Sequence, residues 1–149
     1  MNSTRVSLLG ILAAIPLIWI ISAIYGSKEF DLQLHDTYLV VHSYVFAEIF
    51  TIGLVRVLGL YYILSRDSSF LNHALTTAHA IVVLTTIILL GVLFHFLTTY
   101  DDIERYSSDL TFVNYLASIV IILIILSVVI FIINSLLGLI QRVIKRKAV

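Results

Sequence analysis

Apolar residues run along this chain in four long blocks, Val6–Tyr25, Leu39–Leu64, Ala74–Leu97 and Phe112–Ile140, separated by short polar links. A helix needs about 20 such residues to cross the hydrocarbon of a bilayer, about 30 Å thick. Each block therefore predicts one spanning helix. Short links favour up-and-down packing of consecutive helices, so the chain reads as an all-α, integral membrane four-helix bundle, one domain over residues 1–149. The first block holds Pro16 and Trp19, the second is broken by His42, Glu48 and Arg56, and the third contains His79 and His95. The fourth has a continuous Ile, Leu and Val stretch from Ile119 to Leu126. The first block has some marks of a secretory leader: Arg5, an apolar run, then Ser22 and Ala23. Its apolar stretch exceeds a leader core and no clean small-x-small cleavage site follows, so a retained helix is expected.

Composition closes off the soluble alternatives. Of 149 residues, 60% are hydrophobic and 12% charged, against about 25% charged in soluble domains, and the mean hydropathy is +1.09. Without cysteine the chain can build no disulfide, thiolate metal site or iron–sulfur cluster. Net charge is zero, but its placement is lopsided. Arg5, Arg66, Arg142, Lys145, Arg146 and Lys147 fall on one side of the predicted spans. The other side has Lys28 and Arg105 among Glu29, Asp31, Asp36, Asp101, Asp102, Glu104 and Asp109. Basic residues stay inside, so both termini are expected in the cytoplasm and the chain in a cell inner membrane. The basic tail is expected to bind anionic lipid; nothing points to nucleic acid.

The run Leu34-His35-Asp36-Thr37-Tyr38-Leu39-Val40-Val41, with Phe30-Asp31-Leu32-Gln33 before it, resembles the step that opens the heme-ligand helix in heme-copper oxidase subunit I. Weaker likenesses follow. Arg105-Tyr106-Ser107-Ser108-Asp109 is similar to the loop before that family's last helix, and Asn114-Tyr115-Leu116-Ala117-Ser118-Ile119 to the start of that helix. The resemblance implies that the four spans correspond to the last four helices of subunit I. It also implies the orientation already read from charge.

Departures from the family pattern govern the functional expectation. The family's ligand helix carries a His-x-His pair, whereas an ungapped alignment puts Ser43 and Val45 there. A one-residue gap lets His42 match one ligand and still leaves the other missing, and the copper-ligating helices have no counterpart. Oxygen reduction by this polypeptide alone fails on ligand count. The expectation is a non-catalytic accessory or assembly subunit of a respiratory oxidase-type membrane complex, packed against other membrane subunits or against itself. A small b-type cytochrome is the alternative, with heme b between His42 and His95, which both fall about 5 Å inside the outer ends of adjacent spans. A proton or ion conductor using Glu48 is a third.

Other polar residues have two readings each. His35 and Asp36 resemble the family's outer-side residues near a non-redox divalent ion, while Asp36 ahead of Thr37 also suits an N-cap of the second span. Glu48 near mid-membrane is either part of a proton path or a hydrogen-bonded packing residue, with Thr85 or Thr86 as a partner. Arg56 and His79, like Glu48, are expected as buried polar residues at the bundle interior or at a partner interface, with snorkelling to the inner headgroups as the other reading of Arg56. No phosphate loop, nucleophile elbow or His-Glu-x-x-His zinc helix occurs, so no enzyme chemistry is indicated.

Overall fold

A computed structural model describes residues 3–26, 29–34, 37–65, 71–99 and 107–147. It contains the helices α1 (Ser3–Ile24), α2 (Ser43–Ser65), α3 (His73–Thr99) and α4 (Ser107–Lys147), with strands β1 (Glu29–Leu34) and β2 (Thr37–His42) between α1 and α2. All four helices are long and apolar enough to cross a membrane, over Arg5–Ile24, Ser43–Ser65, His73–Leu97 and Phe112–Ile144. The multi-pass expectation stands on that.

The hairpin lies outside the all-α expectation. β1 and β2 pair antiparallel, from Glu29 opposite His42 to Leu34 opposite Thr37. The local sequence explains it. Phe30, Leu32 and Leu34 alternate with Glu29, Asp31 and Gln33, the period of a strand rather than a helix. Thr37, Tyr38, Val40 and Val41 are β-branched or aromatic. The second span therefore starts at Ser43, not Leu39. The helix thus begins seven residues after Asp36 in the sequence, and His42 closes β2 instead of lying inside the helix. His35 and Asp36 themselves lie outside the described residues.

α3 is the centre of the packing. It lies against α1 on one side and α4 on the other, α1 also packs on α2, and the α2–α4 contact is slight. The core comes from every wall, including Ile11 and Ile18 of α1, Ala47 and Leu54 of α2, Ile87 and Phe94 of α3, and Leu116 and Val120 of α4. Two small residues let helices approach. A methyl group on Gly91 would come within 3.1 Å of the Ile21 side chain, and one on Gly10 within 3.7 Å of Ala80. Polar pins join α1 to its neighbours: Trp19 Nε1 donates to Thr51 Oγ1 at 3.0 Å, and the Ser7 and Thr77 hydroxyls meet at 2.8 Å. Pro16 sits inside α1, which membrane helices tolerate. α4 continues well past the predicted Ile140 to Lys147, so the basic tail is a helical extension of the span.

Candidate functional site

Three helices deliver polar side chains to one buried place near the end where α2 gives way to α3. α2 is buried at Ala47, Leu54 and Tyr61, a seven-residue spacing that keeps one face inward. α3 starts with Asn72 as its cap: the side-chain carbonyl accepts from Leu75 N at 3.3 Å, the usual service to a first-turn donor. Thr76 and His79 follow on the inward face of α3, 0% and 1% exposed. α4 contributes Ser127 and Asn134, one heptad apart.

Their hydrogen bonds form a directed chain. Asn134 Nδ2 donates to Thr76 Oγ1 at 2.9 Å and to Tyr61 Oη at 3.4 Å, while its carbonyl accepts from Asn72 N at 3.0 Å. Thr76 Oγ1 in turn donates to the Asn72 backbone carbonyl at 2.9 Å. Tyr61 Oη also meets His79 Nδ1 at 3.0 Å. The other ring nitrogen, Nε2, meets Ser127 Oγ at 3.0 Å, so in the neutral ring one nitrogen donates and the other accepts, as the tautomer decides. Phe131 closes the cluster, its ring 5.3 Å from Tyr61 and 5.9 Å from His79. Ser135, beside Asn134, is buried and has no partner among the described residues.

Both ring nitrogens of His79 are engaged by hydroxyls within the bundle. The cluster acts as a clasp across α2, α3 and α4. Tyr61, Thr76, Ser127 and Asn134 were not among the sequence candidates; the readable signal was the seven-residue spacing of Ser127 and Asn134 among the polar residues of the fourth span.

An apolar groove of about 390 Å³ opens between α2 and α4 over this cluster, with Phe50, Leu54, Val57, Val83 and Ile124 in its walls and His79 and Ser127 at its polar edge. It exists because α2 and α4 barely touch.

The other candidates lie elsewhere. His42 stacks on Tyr44, ring centroids 5.1 Å apart, ahead of α2 rather than on its inner face. His95 is on an exposed flank of α3 beside Phe96. Among the described residues no group of three or more His, Cys, Asp or Glu is poised to hold a metal.

Glu48 and Arg56, expected at the bundle interior or at a partner interface, are exposed on α2 and so lie away from this chain's interior. The reason is the helix period. The buried residues Ala47, Leu54 and Tyr61 define one side of α2, and at 3.6 residues per turn Ile52 falls opposite them, flanked by Glu48 and Arg56. Neither charge has an ion-pair or hydrogen-bond partner among the described residues. Thr86, expected as a donor to Glu48, instead donates to the Val82 carbonyl at 2.7 Å, and Thr85 is exposed. The chain thus gathers His79 into a satisfied interior cluster and leaves Glu48 and Arg56 outside. No family model, curated protein or solved structure matches the chain.

Proposed function

We propose that this chain is a non-catalytic accessory or assembly subunit of a membrane complex, a four-helix relative of heme-copper oxidase subunit I, with a respiratory oxidase-type complex as host. Both ends lie in the cytoplasm, and the basic end of α4 rests on anionic lipid of the inner membrane. The observation that carries the reading is the exposed face of α2. Arg56 is about 13 Å along the helix from Ser65 and about 20 Å from Ser43. An arginine at that depth on a lone helix costs about 2.5–3.5 kcal/mol. A neighbouring subunit that supplies partners removes the penalty, whereas lipid does not. The interior supports the same reading from the other side, since both ring nitrogens of His79 are taken up by hydrogen bonds within the bundle.

The test is purification from native membranes in mild detergent, followed by native mass spectrometry and an absorption spectrum. The expected result is a particle containing this chain with at least one other membrane polypeptide, and no Soret absorption attributable to this chain. A particle of this chain alone with a Soret band that disappears in His42→Ala or His95→Ala would establish the cytochrome instead.

A further inference from the structure

The exposed face of α2 also says what kind of neighbour covers it. We infer that α2 docks against a membrane helix of a different polypeptide, one that carries a carboxylate level with Arg56 and a cationic group level with Glu48. The inference rests on the accessory-subunit reading and sharpens it.

The face has a definite composition. Ile52, Val55, Tyr62 and Ile63 are all more than half exposed, and a methyl group built on Gly59 would meet nothing within 4 Å. Glu48 and Arg56 border this surface about 80° apart around the helix and about 12 Å apart along it. A smooth, Gly-containing strip suits close approach of another helix, and the two charges set what that helix must offer and at which depth.

A second copy of this chain cannot offer it. Glu48 is the only acidic residue in any of the four spans. Outside α2, the only Lys or Arg in those spans are Arg5 and Arg142, at their ends. Two copies inserted the same way keep Glu48 at one depth and Arg56 at another. An α2–α2 pairing about an axis normal to the membrane then sets Glu48 against Glu48 and Arg56 against Arg56, and like charges in contact select against the pairing. Only an inverted copy would match Glu48 to Arg56, and the one-sided distribution of basic residues opposes dual insertion. Arg56 also lies too many turns from Ser65 to reach the headgroups at that end by extending along the helix. A foreign carboxylate is what remains.

The experiment places a photoreactive benzoylphenylalanine at Ile52, the centre of the face, in the full chain within its native membranes. After irradiation, adducts are identified by peptide sequencing. The expected adduct is a transmembrane peptide of another polypeptide with Asp or Glu within one turn of the Arg56 level. Its yield falls at least tenfold in Arg56→Glu and recovers when the partner's carboxylate is changed to Arg. Glu48→Gln, a milder change, lowers the yield severalfold and serves if the reversed charge prevents insertion. An adduct to this chain's own peptides, to lipid alone, or to a foreign helix without a carboxylate at that level would overturn the inference. If any of these occurs while the chain still runs in a heteromeric particle, only the docking face is wrong. If the chain runs alone, the accessory-subunit reading fails too.

Discussion

The polar residues inside the bundle and those on the outer face of α2 are of similar kind, yet the chain treats them oppositely. Tyr61, Thr76, His79 and Asn134 are buried, and their donors and acceptors are taken up by one another and by Asn72 and Ser127. Glu48 and Arg56 sit on the same helix as Tyr61 and have no partner among the described residues. Less than half a turn of rotation separates the two situations. Buried polar groups in a membrane persist where their hydrogen bonds are met. The interior meets that condition alone; the outer face meets it only in company.

Substitutions at the two places should therefore have opposite dependence on surroundings. The largest effect on the isolated chain is expected for His79→Ala, which empties a fully packed site beside the groove and strands the Tyr61 and Ser127 hydroxyls. A loss of about 2–4 kcal/mol in unfolding from mixed micelles is predicted. Asn134→Ala removes three hydrogen bonds and should cost about 2 kcal/mol, since interhelical bonds in membranes average about 0.6 kcal/mol each. Tyr61→Phe breaks the chain between Asn134 and His79 and should cost about 1 kcal/mol, and a double-mutant cycle with His79→Ala should be non-additive. Glu48→Gln and Arg56→Leu are the smallest, within about 0.5 kcal/mol for the isolated chain. A large loss from either in isolation would erase the contrast, because it would mean the chain itself pairs those charges.

Much of this fold is readable from the residues because membrane hydrocarbon imposes one dominant requirement, a run of about 20 apolar residues. α1, α3 and α4 follow from it, with α4 extended at both ends. The start of α2 does not follow. Leu39-Val40-Val41 is apolar enough to be counted into a span, and only the alternation of Phe30, Leu32 and Leu34 with polar residues marks a strand pairing with it. The site was legible by half. Glu48, Arg56 and His79 stand out as polar positions in apolar runs. Which of them face inward was not, because these spans are apolar on nearly every side and their facing is set by tertiary packing rather than by a polar stripe. Asn134 and Ser127 carried the missing information: two polar residues one heptad apart point to the same side of α4, and that side is where His79 is met.

The most direct test of the account is the environment of Ile52. A nitroxide attached at Ile52→Cys reports collision with oxygen dissolved in lipid, with Ile122→Cys on the exposed side of α4 as a reference. With the chain alone in lipid nanodiscs, both labels should be freely accessible. In the particle isolated from native membranes, accessibility at Ile52 should fall severalfold. Equal accessibility at Ile52 in the two preparations would contradict the claim that a neighbour covers this face.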